Sequence, residues 1–403
     1  MKTFNNKISR EWIIVGLSFF MILLTIGIYF SFGAYLINLS EELNCSRSDI
    51  SLVFSLSLVV YSAFMVVMGI LSDRYGIERT ICVGGILFGI GYILGGFSTK
   101  IWILCFCFGV VAIGLAGVFI PSVSVPSKSF KNNKGLAIGI IMSGGGLGPF
   151  LITPLVTYLV LLLDWRNTFF IQGTTCIILT VMITYFMKTM EVPSLKPKPV
   201  EKQESLVDAE ISWNLNQVLK NYMFWLIYFV YVLTSIGFTV VVVHLFPYLI
   251  GKGLSAILAG YILGQVGIGR GCGAPLAGFL SDRFGRKIIM FYLLTLQGLL
   301  IIALTFTIPV YAYFIAAFFY GISVGGMVSQ FPAIAVDFYG YKFLGSIFGV
   351  LNTAFGLGGA FGAFIAGFFF DLFNTYNYTY YICGILYGVG ILLIIFIKKP
   401  DAR

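Results

Sequence analysis

The sequence predicts an all-α membrane protein whose twelve transmembrane helices form two six-helix pseudo-symmetric bundles. Three observations predict it: apolar runs of membrane length, a shortage of charge, and a motif that recurs at a fixed offset. Of the 403 residues, 59% are hydrophobic and 10% are charged, whereas soluble domains carry about a quarter charged residues. Water is therefore not the main solvent of this chain.

A spanning helix needs about 20 predominantly apolar residues. Such runs fall at 12–38, 49–72, 79–97, 100–127, 134–161, 167–189, 219–250, 255–281, 286–308, 310–337, 343–370 and 377–398. They are too long for the alternating strands of about ten residues that mark an outer-membrane barrel, so the expected fold is helical. A polar stretch precedes the first run, which at about 27 residues exceeds a signal-peptide core; the first helix is expected to stay as an anchor.

The formal net charge is +9, and in a soluble protein that balance would point to nucleic acid. Here the basic residues are sorted by side instead. With the N-terminus inside, the inner segments carry Lys2, Lys7, Arg10, Arg74, Arg79, Lys128, Lys131, Lys134, Lys188, Lys196, Lys198, Lys202, Lys220, Arg283, Arg286, Lys287, Lys342, Lys398, Lys399 and Arg403. The outer loops carry only Arg47, Lys100, Arg166 and Lys252. The positive-inside rule then predicts a multi-pass cell-membrane protein with both termini in the cytoplasm and no nucleic-acid partner. The seven cysteines fall mostly within spans and suggest no disulfide framework. Cys105 and Cys107 lie two apart on a helix and point about 200° from one another, which does not suit a shared metal. No cofactor is expected.

A hydrophilic stretch at 190–218 divides the runs six and six and reads as a cytoplasmic linker between an N-terminal bundle (1–189) and a C-terminal bundle (219–403). The halves repeat. Gly69-Ile-Leu-Ser-Asp73-Arg74-Tyr-Gly76 recurs as Gly278-Phe-Leu-Ser-Asp282-Arg283-Phe-Gly285, and Gly135-Leu-Ala-Ile-Gly139 is echoed by Gly345-Ser-Ile-Phe-Gly349. Parallel repeats with a binding site between them near the bilayer midplane are the plan of rocking-bundle carriers.

With these motifs the chain resembles the major facilitator superfamily, whose signature is G-x-x-x-D-R-x-G-[RK]-[RK]. The second copy matches it through Arg286 and Lys287; the first departs, carrying Ile77 and Glu78 before Arg79. Within that superfamily the chain resembles the oxalate/formate antiporter and monocarboxylate transporter branch, on Phe30-Ser-Phe-Gly33, Cys45-Ser-Arg47, the stretch from Ser129 to Gly139, Asp164-Trp-Arg166, and His244-Leu-Phe-Pro-Tyr248. The resemblance implies the major facilitator fold and a carrier in which an Arg of the eighth span grips a substrate carboxylate. In oxalate carriers it also implies a second cation in the eleventh span, which has no basic residue here beyond Lys342. A single fixed cation favours a monoanion over a dianion.

Arg270 is the sharpest feature, 15 residues from the outer start of its predicted span and 11 from the inner end, too deep to snorkel comfortably. An Arg at a helix centre costs about 2.5–3.5 kcal/mol on insertion scales, and such residues mark substrate paths. By the predicted spans all 16 Asp and Glu fall in loops or near helix ends, so an anionic substrate is the expected partner. A buried ion pair with an acid of a neighbouring helix is the competing reading. The guanidinium fork suits carboxylate geometry.

His244, the one histidine, lies about 9 Å below the outer interface by helical rise. It either carries a proton or substrate contact near neutral pH or shapes an outer gate. Asp73, Arg74, Arg79, Asp282, Arg283 and Arg286 read as cytoplasmic gates, each Asp able to cap a neighbouring helix N-terminus; simple topology marking is the alternative. The glycine runs at 143–148 and 356–362 read as close helix packing. Gly269-Arg-Gly-Cys-Gly-Ala274 fits a loose dinucleotide fingerprint but lies inside a span with no strand before it. Tyr29, Ser143, Tyr320, Ser329, Gln330 and Asn352 are candidates to complete a pocket around Arg270.

The sequence thus predicts a secondary carrier, working as a monomer in the bilayer, for a small carboxylate such as lactate, pyruvate or formate, by proton symport or anion exchange. An oxalate/formate-type dicarboxylate antiporter and a transporter-like carboxylate sensor are the alternatives. An enzyme is not expected, because no nucleophile, base and orienting residue occur together at membrane depth.

Overall fold

In hydrocarbon no water satisfies a backbone N–H or C=O, so a chain that crosses repeatedly must close its hydrogen bonds within helices or a closed barrel. The computed structural model describes residues 4–45, 47–130, 133–190, 213–306, 309–373 and 375–400, and those residues hold helices and no β-strand. Most of the expected linker, 191–212, lies outside the described residues. So do Lys2, Lys131, Lys196, Lys198, Lys202 and Arg403, and the acids Glu191, Glu201, Glu204, Asp208, Glu210 and Asp401.

The helices are α1 (Phe4–Phe30), α2 (Leu36–Glu42), α3 (Arg47–Tyr75), α4 (Ile77–Gly96), α5 (Ile101–Ser129), α6 (Lys134–Thr189), α7 (Leu215–Leu219), α8 (Tyr222–Gly251), α9 (Ala256–Phe284), α10 (Arg286–Ala303), α11 (Val310–Tyr339), α12 (Leu344–Phe373) and α13 (Asn377–Phe396). Ten of them are long and apolar enough to cross a membrane. One of the ten, α6, is 56 residues long and holds the fifth and sixth predicted spans end to end. α9, 29 residues long, supplies the remaining span; Gln265, Arg270 and its glycines lower its hydropathy. Twelve spans result among the described residues.

Two of the differences from the expected boundaries change the path of the chain. The first span is not one helix to residue 38: α1 stops at Phe30 and a 3-10 turn, Ser31–Tyr35, leads into α2. The Ser31 hydroxyl donates to the Gly27 carbonyl at 2.6 Å and meets Thr153 Oγ1 at 3.0 Å, and such back-bonding bends helices. No loop separates the fifth and sixth spans; the chain bends at Asp164, whose φ of 70° and ψ of 172° are rare for an L residue. The Asp164 carboxylate offsets the strain by accepting the Asn167 N–H at 2.9 Å, so that it caps the arm that follows.

By packing, the chain forms two compact units. The first comprises Met1–Lys131, Leu147–Asn214 and Tyr339–Val350; the second comprises Asn132–Gly146, Leu215–Phe338 and Leu351–Arg403. Each unit thus contains one short segment from the opposite half of the sequence.

In the first unit, Ile14, Met21, Ile77, Ile81, Val118, Val125, Ile183 and Met187 make a buried cluster that joins α1, α4, α5 and α6. Where α4 crosses α5 there is no room for a side chain: a Cβ on Gly84 would lie 2.6 Å from the Gly117 carbonyl carbon. Small residues let membrane helices approach this closely when apolar surroundings give no hydrophobic drive between them. In the same unit Asp73, at the end of α3, accepts the backbone N–H of Gly345 (3.1 Å), the N–H of Ser346 (2.7 Å) and the Ser346 hydroxyl (2.7 Å).

The second unit repeats that geometry. Asp282, at the end of α9, accepts the N–H groups of Gly135 and Leu136, both at 3.0 Å. The two sequence echoes therefore meet each other: 69–76 packs on 345–349, and 278–285 packs on 135–139. Gly135 has no space for a side chain, since a Cβ there would lie 2.6 Å from Asp282 Oδ1 and 2.7 Å from the Gly278 carbonyl oxygen.

Candidate functional site

Arg270 stands fourteen residues from each end of α9, about 21 Å of helical rise in either direction. Its backbone is held between two neighbours. On one side a Cβ at Gly325 of α11 would collide with the Arg270 carbonyl oxygen and come within 2.7 Å of its Cα. On the other side a Cβ at Gly146 of α6 would lie 2.7 Å from the Gly271 nitrogen and 3.2 Å from Arg270 Cβ. Gly269 and Gly273 of α9 press on Phe318 and Ile322 of α11 with equal closeness. This contact is the packing expected of the glycine run at 143–148, with Arg270 at its centre.

The Arg270 side chain is half-buried. Its guanidinium carbon lies 4.9 Å from the centroid of the Phe238 ring on α8, a cation–π contact worth about 0.5–2 kcal/mol depending on desolvation. It offsets part of the cost of a cation at that depth. Phe238 adjoins Phe355 of α12 (6.0 Å between centroids), and Phe355 adjoins Tyr231 of α8 (6.4 Å). Tyr231 stacks on Phe331 of α11 at 3.9 Å and 12°, and its hydroxyl donates to Asn352 Oδ1 at 2.5 Å. A cation, a ring wall and a polar pair are thus collected from four helices of one unit, the mixture typical of small-ligand sites.

Of the residues singled out in the sequence, Arg270 and Asn352 are linked through this ring chain. Gln330 is buried nearby on α11, its Nε2 3.2 Å from Ser329 Oγ, and its Oε1 is buried with no hydrogen-bond partner among the described residues. Ser329 Oγ donates to the Gly326 carbonyl at 2.7 Å. Ser143 is bonded back to its own helix, Oγ to the Ile140 carbonyl at 2.6 Å. Tyr320 pairs hydroxyl to hydroxyl with Tyr387 of α13 at 2.8 Å. Tyr29 belongs to the first unit, where its hydroxyl meets Ser57 Oγ at 2.7 Å. His244 is half-buried with its ring 5.2 Å from Tyr376, which stacks on Phe370 at 4.4 Å. Phe238, Tyr231, Phe331 and Phe355 carried no sequence signal, for they are ordinary members of a chain with 40 Phe and 23 Tyr.

The residues expected at the gates divide. Asp73 and Asp282 hold the helix starts already described. Arg286 joins the second of these, 2.6 Å from Asp282 Oδ1 and 3.0 Å from Asp337 Oδ2, with a further bond to the Ser281 hydroxyl. Arg74 lies over Tyr75 (5.4 Å) and Arg283 over Phe279 (4.2 Å), each on its own helix. Arg79 is exposed.

A family model described as Major Facilitator Superfamily matches residues 16–273 and 260–403. Among curated proteins, Monocarboxylate transporter 11 of Mus musculus is 25% identical over 385 residues, covering 92% of this chain and 84% of that protein. Monocarboxylate transporter 14 of Homo sapiens is 23% identical over 460 residues, covering 95% and 89%. MFS transporter asaE of Aspergillus flavus is 26% identical over 328 residues, covering 80% and 71%. Among solved structures, the transporter FucP in its outward conformation superposes with a TM-score of 0.77 at 12% identity, covering 97% of this chain and 100% of that one. The proton:xylose symporter XylE superposes with a TM-score of 0.77 at 13% identity, covering 98% and 97%. At such identities the structural likeness shows the fold.

Proposed function

Since the chain belongs to the Major Facilitator Superfamily, we propose that it is a secondary transporter for a small monocarboxylate of the size of lactate, pyruvate or formate. The observation that carries the reading is Arg270, a guanidinium at the centre of a spanning helix whose backbone is fixed by Gly146 and Gly325. Its N–H fork matches a carboxylate bidentately. The rings of Phe238 and Phe355 offer an apolar wall to a short carbon chain, and Asn352 and Gln330 offer polar contacts. The names of the relatives at 23% and 25% identity support the same substrate class.

The bundles 1–189 and 219–403 alternate access by rocking about this site. The carboxylates of Asp73 and Asp282, each on the first turn of a helix from the other bundle, hold the basic end closed in one state. By the positive-inside rule that end faces the cytoplasm of a cell-membrane protein, and the carrier works as a monomer. Coupling is to a proton, carried by His244 or by the substrate, or to a counter-anion.

The test is counterflow into liposomes with radiolabelled lactate, pyruvate, formate and oxalate and a lumenal pH dye. Faster exchange of the monoanions than of oxalate is expected; transport of oxalate alone, or of none of the four, overturns the substrate class. Lumenal acidification during uptake assigns proton symport, and dependence on internal anion without acidification assigns exchange.

A further inference from the structure

We infer that the second unit carries a binding site for the phosphate headgroup of an anionic phospholipid, distinct from the Arg270 site and at the basic end of the helices. A cavity of about 500 Å³ lies where the turn between α9 and α10 meets the ends of α11 and α13, lined by Arg286, Lys287, Lys398, Lys399 and Asp337. Four cations thus converge from two separate parts of the chain.

Arg286 is neutralised by its bonds to Asp282 and Asp337, which leaves Lys287, Lys398 and Lys399, all exposed, to meet an anion. Their placement is structural. Lys287 Nζ donates to the Ile395 carbonyl at 2.6 Å, which ties α10 to the last turn of α13. α13 then ends at Ile397 in extended backbone (φ −66°, ψ 123°), and the Lys398 N–H is fixed 3.5 Å from Met223 Sδ. The two lysines are therefore presented at the cavity mouth by ordered chain.

What lies beside the cations distinguishes a lipid from a soluble anion. Phe284 and Ile288 on the cavity wall are 61% and 52% exposed, and Phe396 at the end of α13 is 65% exposed. In a membrane-spanning chain such side chains face acyl tails. An apolar strip that rises to a basic rim at a helix end matches a phospholipid, tails along the strip and phosphate among the lysines, and basic pockets between spanning helices bind anionic headgroups in this way.

The test is native mass spectrometry of the full-length protein titrated with phosphatidylglycerol, phosphatidylcholine and inorganic phosphate. Phosphatidylglycerol is expected to be retained over phosphatidylcholine. Lys287→Gln, Lys398→Gln and Lys399→Gln are each expected to weaken retention roughly 5-fold, whereas Lys398→Arg retains it. Melting temperatures near wild type establish that the variants are folded, since Lys398 and Lys399 are exposed. Equal retention of the two lipids, or Gln variants indistinguishable from wild type, overturns the site. Displacement of the lipid by equimolar inorganic phosphate overturns the lipid assignment in favour of a soluble anion.

Discussion

The guanidinium of Arg270 lies over the ring of Phe238, its carbon 4.9 Å from the ring centroid. The contact fixes the direction of a long side chain whose backbone is already pinned, and it couples α9 to α8. Replacing the ring removes about 1 kcal/mol of orientation. Phe238→Leu is expected to raise the KM for the transported anion roughly 5-fold at unchanged protein level, and Phe238→Tyr to keep it near wild type, as measured by concentration-dependent uptake.

Two glycines near Arg270 make opposite predictions. A Cβ at Gly325 would collide with the Arg270 carbonyl oxygen, whereas a Cβ at Gly267 meets nothing nearer than the Gly146 carbonyl oxygen at 3.8 Å. Gly325→Ala is expected to cost about 1–3 kcal/mol through overpacking and to lower transport by shifting α9. Gly267→Ala is expected to be neutral or slightly stabilising, because alanine is the better helix former. Melting temperatures of the two purified variants check the contrast.

The carboxylates of Asp73 and Asp282 each take two first-turn N–H groups, but their further partners differ: the Ser346 hydroxyl for Asp73, the Arg286 guanidinium for Asp282. Charged groups at helix starts contribute about 0.3–2 kcal/mol. Asp282→Ala is expected to be the more damaging, about 1–3 kcal/mol, since it also removes a partner from a largely buried Arg286. If opening of the basic end is governed by these bonds, a cysteine placed at the start of α6 becomes more reactive to a membrane-impermeant thiol reagent in both variants, and more so in Asp282→Ala.

Within the first unit, near the end of α3 opposite Asp73, Glu42 is bonded to Arg166 twice, at 2.7 and 2.9 Å, and to Trp165 at 2.5 Å. The bonds from Arg166 chiefly, and that from Trp165, hold its carboxyl below the ordinary 4.5, against the opposing effect of burial. A lowered folded pKa means stability that is complete above the unfolded value and lost as pH falls through the folded one. Glu42→Gln is therefore expected to melt lower than wild type near pH 7, by under about 1 kcal/mol because the pair is well exposed. The difference should close below about pH 4, as followed by thermal denaturation across that range.

The spans and the duplication were legible because apolar length and an eight-residue motif survive without tertiary knowledge. The depth of Arg270 within its helix was legible for the same reason, as a charge where hydrocarbon tolerates few. The crossing of the two echoes, Asp73 onto 345–346 and Asp282 onto 135–136, is a contact over 272 and 147 residues that no local pattern encodes. The break between the fifth and sixth spans was legible at 162–166, but that a single capped residue, Asp164, makes it in place of a loop was not, because no Gly or Pro marks the turn. Phe238 and Tyr231 escaped because the apolar residues of α8 are spread around its whole circumference, and a helix without a polar face gives no sign of which side meets Arg270.

The most direct test is uptake of a radiolabelled monocarboxylate by liposomes holding equal amounts of folded wild type, Arg270→Lys and Arg270→Ala. Loss of two charge-assisted hydrogen bonds to the anion corresponds to about 3 kcal/mol, so uptake by Arg270→Ala should fall roughly 100-fold, with Arg270→Lys intermediate. Uptake by Arg270→Ala equal to wild type, at an unchanged melting temperature, would contradict the assignment of Arg270 as the substrate anchor.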